Sequence, residues 1–116
     1  MEKDSIIDKD FKCKLDQMFS DQGEHIESAS RALKVLAHPA RLKILCVLKE
    51  GEQNVRCLEE YTGLAQATLS QHLSILKDRG VLVSKRNGNF SYYSVKNQSI
   101  VDLFMQIQQT FCQPTS

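Results

Sequence analysis

Residues 55–95 read VRCLEEYTGLAQATLSQHLSILKDRGVLVSKRNGNFSYYSV, and a change of period inside this stretch decides the fold. Leu69, Leu73 and Leu76 stand at i, i+4 and i+7, which predicts a helix over residues 66–79 with one apolar face. A shorter helix is predicted over residues 55–62, closed by Gly63 as a C-terminal cap, and Gly80 ends the longer one. Past Gly80 the period drops from 3.6 to 2. Val81-Leu82-Val83-Ser84-Lys85-Arg86 and Phe90-Ser91-Tyr92-Tyr93-Ser94-Val95 are β-rich runs on either side of Asn87-Gly88, a strong hairpin signal. Taken singly, residues 66–79 make a solvated amphipathic helix and the hairpin a solubilising turn. In this order, short helix, glycine turn, helix and basic hairpin predict a winged helix-turn-helix, an α+β fold that is mainly helical with the hairpin as its wing.

Upstream, Ile26, Ala29, Leu33, Val35 and Leu36 support a helix from Glu24 that ends near His38-Pro39, because proline disfavours helix in the residue before it. Pro39 is itself suited to the first position of a helix over residues 39–49, where Leu42, Leu45 and Leu48 recur near one face before Gly51. Downstream, Ile100, Leu103, Phe104, Ile107 and Phe111 predict a long last helix over residues 99–112, followed by a loose end at 113–116. The first 23 residues set Ile6, Ile7, Phe11, Leu15, Met18 and Phe19 at helical spacing on a charged background. They read as an acidic amphipathic extension, 1–23, in front of one domain, 24–112.

A chain of 116 residues with 41% hydrophobic side chains suits a single core. No run approaches the ~18 consecutive apolar residues of a membrane span, and Met-Glu-Lys-Asp lacks the layout of a signal peptide, so a cytoplasmic protein without membrane contact is expected. Residues 1–30 hold eight acids against four bases, whereas the remainder holds eleven bases against six acids. The folded part is therefore moderately basic and compatible with a polyanion. Cys13, Cys46, Cys57 and Cys112 are too scattered for a disulfide scaffold or a Cys-x-x-Cys pair, so reduced thiols are the expected state. No paired carboxylates, nucleophile elbow or phosphate loop is present, and no enzyme is expected.

Opposite the leucines, the helix over residues 66–79 offers Gln66, Thr68, Ser70, Gln71, Ser74 and Lys77. Gln66, Thr68, Ser70 and Gln71 are suited to base edges in a major groove. Lys77, with Arg41 and the wing's Lys85 and Arg86, is suited to phosphates, and Asn87 and Asn89 join them at the hairpin tip. His72 either touches a phosphate or braces the helix, His38 joins two helices, and His25 is an exposed polar residue.

The run Ala32-Leu33-Lys34-Val35-Leu36-Ala37-His38-Pro39-Ala40-Arg41-Leu42-Lys43-Ile44-Leu45 resembles the opening signature of the ArsR/SmtB winged-helix repressors. Leu69-Ser70-Gln71-His72-Leu73 resembles their recognition helix, and the hairpin ending Tyr92-Tyr93 fits as well, so the resemblance spans about residues 28–112. It implies a homodimer paired through its first and last helices that binds double-stranded operator DNA until an inducer lowers its affinity. Ala65 and Ala67 stand where relatives commonly carry serine, which removes a favoured N-cap at Ala65 and a small polar contact at Ala67.

The family's inducers are usually metals, which need clustered thiolates and imidazoles. Where metal-sensing relatives carry a Cys-x-Cys box, this chain reads Asn54-Val55-Arg56, with Cys57 one residue beyond. The last helix offers Asp102, Gln106, Gln108, Gln109 and Thr110 in place of the zinc-type ligands, so no metal or other cofactor is expected. Cys46 and Cys112 are similar to the sensor pair of the family's persulfide- and redox-sensing branch, which implies reactive sulfur species or an oxidant as inducer. Alone, Cys46 among Ile44, Leu45 and Val47 reads as a small buried hydrophobe. Cys57 reads as a packing residue and Cys13 as a candidate third thiol on the extension. Two other readings stay open: a metal- or metalloid-responsive repressor using Cys46, Cys57 and Cys112, and a constitutive protein-interaction module with a solvated wing.

Overall fold

Proline at 39 starts a helix where it would break one further along, and glycines at 63 and 80 end two more; these three residues parse the centre of the chain. The computed structural model describes residues 8–111. Among them are five helices, α1 (Lys9–Leu36), α2 (Pro39–Leu48), α3 (Val55–Thr62), α4 (Gln66–Asp78) and α5 (Gln98–Phe111), and three strands, β1 (Gln53–Asn54), β2 (Leu82–Asn87) and β3 (Phe90–Val95). The chain divides into two compact units, Met1–Lys34 and Val35–Ser116.

The first unit holds nearly all of α1, whose start is capped by Asp8 Oδ1 accepting the Phe11 N–H at 2.7 Å. Over the described residues the extension and the helix expected from Glu24 are one uninterrupted helix through Gly23. A single glycine costs a helix only about 1 kcal/mol relative to alanine, too little to break a run that is regular on both sides.

In the second unit each helix has a chemical start. His38 is the N-cap of α2, its Nδ1 accepting the Ala40 N–H at 3.1 Å, and Asn54 caps α3 by accepting the Cys57 N–H at 2.9 Å. Gly63 closes α3 in the left-handed region at φ +73°, which glycine adopts without a Cβ penalty. Helix α4 buries Leu69, Leu73 and Leu76 against Ile44, Leu45 and Leu48 of α2, Leu58 of α3, Leu82 of β2 and Phe104 of α5, and these residues form the core.

The wing pairs β2 and β3 antiparallel from Leu82↔Val95 to Asn87↔Phe90. Asn87 is thus the last residue of β2, and the two-residue loop is Gly88-Asn89 rather than the Asn87-Gly88 that the sequence suggests. Gly88 takes φ +67° at the first loop position, the pattern of a type II′ turn, whereas a loop one residue earlier would force a positive φ on Asn87. The two-residue strand β1, too short for any alternation to announce it, pairs with β3 through Gln53↔Tyr93 and Asn54↔Tyr92 and completes the sheet order β1-β3-β2. The remaining ends shift by one residue: α2 stops at Leu48, α4 at Asp78 with Arg79 as its cap, and α5 begins at Gln98.

A polar tie holds α4 to the start of α2. Arg41 donates from Nε to His72 Nδ1 at 3.2 Å and from Nη1 to the Val35 carbonyl at 2.7 Å, and the His38 and His72 rings lie 4.6 Å apart. Burial, then the neighbouring His38 and Arg41, hold the His72 imidazole below its ordinary pKa of 6.5, so it stays neutral and accepts from the guanidinium.

Two outcomes follow from this packing. Leu73→Ala should lower the unfolding free energy by about 2–5 kcal/mol, whereas its exposed neighbour Ser74→Ala should stay within about 0.5 kcal/mol, read from urea denaturation. Because the folded His72 resists the proton that the unfolded chain accepts, its contribution is full above about pH 6.5 and is lost as pH falls toward the depressed folded value. His72→Gln, which keeps an acceptor for Arg41, should therefore lose less stability than the natural chain between about pH 7.5 and about pH 5.5.

Candidate nucleic-acid interface and thiol site

Burying Leu69, Leu73 and Leu76 turns the other side of α4 outward, and Gln66, Thr68, Ser70, Gln71, Ser74 and Lys77 are all exposed on it. Ala65 occupies the N-cap and makes no side-chain cap, so the first-turn N–H groups have no side-chain acceptor, as the sequence anticipates. His72 sits at the margin, half-buried, with Nδ1 taken by Arg41. Arg41 is half-buried too, with two of its guanidinium N–H groups committed inside the protein; a phosphate contact has only the others to draw on.

On the wing, Lys85, Arg86, Asn87 and Asn89 are exposed. Lys85 Nζ lies 3.4 Å from Glu52 Oε2, in an ion pair whose side chains are 68% and 39% exposed, and such pairs contribute about 0–1 kcal/mol. The pairing is weak enough for Lys85 to exchange partners. No motif in the sequence singles out Glu52, because only the β1–β3 pairing carries it to the wing.

The second candidate site lies between α2 and α5. Cys46 is half-buried on α2, and Gln108 of α5 donates from Nε2 toward its Sγ at 3.8 Å while Gln108 Oε1 accepts from Lys49 Nζ at 2.9 Å. One amide thus bridges the Cys46 thiol of α2 and the ammonium of Lys49, the residue that caps the C-terminus of that helix. Sequence reasoning names Gln108 only as a polar residue of the last helix; 62 positions separate it from Cys46, and no local pattern signals the contact.

Cys112 lies outside the described residues. Cys13 is exposed on α1, and Cys57 is half-buried on α3, where it lines a shallow cleft of about 280 Å³ with Val47, Glu50, Gln53 and Tyr61. Among the described residues, no three His, Cys, Asp or Glu side chains stand together as a metal site, and no helix is long and apolar enough to cross a membrane.

The comparisons with known proteins meet this geometry. A family model described as bacterial regulatory protein, arsR family, matches residues 38–85, which run from the α2 cap into the wing. The chain is 34% identical over 92 residues to a biofilm growth-associated repressor of Xylella fastidiosa, covering 79% of this chain and 81% of that protein. Among solved structures it resembles reduced HlyU from Vibrio cholerae, with a TM-score of 0.74 and 27% identity over 80% of this chain and 98% of that one. It also resembles the homodimeric winged helix-turn-helix DNA-binding domain of a possible ArsR-family regulator from Mycobacterium bovis, with a TM-score of 0.70 and 30% identity over 77% and 82% of the two chains. Sequence and fold agree over the same three-quarters or more of the chain, which therefore belongs to the arsR family of bacterial regulatory proteins, the transcriptional repressors that bind DNA through a winged helix-turn-helix.

Proposed function

We propose that this repressor is a dithiol switch: a homodimer that holds operator DNA while Cys46 and Cys112 are reduced and releases it when the two are bridged. The observation that carries this reading is the place of Cys46, half-buried at the junction of α2 with α5 and touched there by Gln108. Cys112, outside the described residues, follows Gln108 by four positions in the sequence. The similarity to HlyU in a state described as reduced supports a thiol-based signal.

The chemistry balances with a persulfide as co-reactant. The Cys46 thiolate attacks the outer sulfur of glutathione persulfide, forming a protein hydropersulfide while glutathione thiolate leaves. The same transfer at Cys112 followed by condensation of the two hydropersulfides expels hydrogen sulfide and leaves a trisulfide bridge. With a peroxide, Cys46 becomes a sulfenic acid, and attack by Cys112 releases water and leaves a plain disulfide. A direct disulfide needs Cα atoms within about 4.4–6.8 Å, and inserted sulfur relaxes that limit. Either bridge changes the packing of α5 against α2, and with it the spacing of the two reading helices in the dimer.

On DNA, α4 enters a major groove of each half-site, with Gln66, Thr68, Ser70 and Gln71 at base edges. Lys77, Lys85 and Arg86 meet phosphates, with Asn87 and Asn89 at the wing tip, while Arg41 and His72 act chiefly by holding α4 at its angle.

Arg86→Ala should reduce the steepness of log affinity against log salt by about 0.9 for each phosphate that the side chain no longer neutralises, once per protomer, in anisotropy titrations with promoter DNA. An unchanged slope removes Arg86 from the phosphate set. Peptide mass spectrometry after treatment with glutathione persulfide should find Cys46 linked to Cys112 with additional sulfur, and Cys46→Ser or Cys112→Ser should keep its DNA under the same treatment. Release by either single variant would overturn the switch.

A further inference from the structure

Lys85 and Arg86 are adjacent in the chain and stand on opposite faces of the wing. Residues directly paired in an antiparallel ladder share a face, so Lys85 lies with Tyr92 and Asn87, and Arg86 with Leu82, Tyr93 and Val95. Leu82 is in the core and Tyr93 and Val95 pack against it, which leaves Lys85 on the face turned away. The two cations also differ in company. Lys85 Nζ meets Glu52 Oε2 at 3.4 Å, whereas among the described residues the Arg86 side chain stands in no ion pair.

Backbone constraints on both sides bring that carboxylate there. Gly51 turns the chain at φ +140°, a value that residues with a Cβ rarely adopt. Past Glu52 the chain is pinned: Gln53 and Asn54 pair with Tyr93 and Tyr92, and the Asn54 side chain caps α3. Carried back by one residue, the β1–β3 register sets Glu52 beside Ser94, on the face that carries Tyr92 and Lys85, and its side chain reaches diagonally over β3 to the ammonium. To that ammonium a carboxylate and a phosphate are equivalent partners, each a negatively charged oxygen acceptor.

We infer, on the reading that Lys85 meets a phosphate, that Glu52 is an internal stand-in for that phosphate and lowers the protein's affinity for DNA without touching it. In the free protein Glu52 holds the ammonium. On DNA the ammonium turns to the backbone, the pair opens, and an unpartnered carboxylate is left beside a polyanion. Both effects oppose binding, and both weaken as salt screens them. The loss is the same on every sequence, because a phosphate contact carries no base information. Arg86, on the other face and without a counter-charge, keeps its full attraction. The wing's two cations thus contribute unequally, and the binding strength is set below what their charges alone would give, which suits a repressor that has to let go on a signal.

Four full-length chains test this: the natural one, Glu52→Gln, Lys85→Met and the two substitutions together. Each is titrated with random-sequence duplex DNA of fixed length, by anisotropy over a series of salt concentrations. Both side chains are exposed and their pair adds little to stability, so all four should fold, as circular dichroism would verify. Glu52→Gln should tighten binding by about two- to fivefold for each wing that meets DNA and should steepen log affinity against log salt. With Lys85→Met already in place, the same substitution should do much less. Equal tightening with and without Lys85 would make Glu52 a general repulsive charge and overturn the proposal, as would no tightening at all. The source of a failure is readable. If Lys85→Met weakens binding by the same factor whether or not Glu52 is replaced, Lys85 keeps its phosphate and only the role of Glu52 is lost. If Lys85→Met changes neither affinity nor slope in either background, Lys85 leaves the phosphate set and the proposal falls with that reading.

Discussion

The burial of Leu69, Leu73 and Leu76 is the constraint from which the rest of the winged unit follows. Three leucines on one side of a 13-residue helix leave a single way for α4 to seat against α2, α3, β2 and α5, and that seating alone turns the glutamines, serines and threonine of its other side outward. The polar outward face is thus a by-product of the core. The polar residues on the outer side are exposed and stand outside the core, whereas a change among the leucines alters the seating of the helix and with it the placing of every outward group.

Polar ties refine what the core sets roughly. Arg41 is the chief of these: one guanidinium joins the last turn of α1 at Val35, its own helix α2, and His72 of α4. The arrangement needs a neutral imidazole, and half-burial, with His38 and Arg41 beside it, favours that form. Gln108 performs the corresponding task at the far end of α2, where its amide accepts from Lys49 and donates toward Cys46. The first tie joins α4 to α2 and the second joins α5 to α2, so α2 is the common beam between the helix with the polar outward face and the helix that packs beside Cys46.

Much of this is legible in the order of the residues. Helix α3 falls on residues 55–62 as the sequence predicts, since Asn54 and Gly63 mark its ends by chemistry rather than by statistical preference. The winged order is legible because a switch from period 3.6 to period 2 survives any error of one residue at the boundaries. The turn reads one position too early because Asn-Gly and Gly-Asn compete for the same loop, and only strand register, a tertiary property, decides between them. Strand β1 offers two residues and no alternation, and the Gln108–Cys46 contact joins positions whose separation hides it from any local reading. The exposure of the polar side of α4 is recovered residue by residue, while Arg41, which the sequence marks only by its charge, proves to commit two of its N–H groups inside the protein.

The missing side-chain cap at Ala65 leaves the start of α4 open. A capping hydroxyl settles the first turn of a helix before anything binds; here the amides at that end wait on solvent, and they carry the positive pole of the helix. A phosphate oxygen placed at that pole would stand where a capping hydroxyl otherwise does. The start of α4 thus offers unclaimed N–H groups at the positive end of the helix, an arrangement suited to an anion from outside rather than to a side chain of the protein's own.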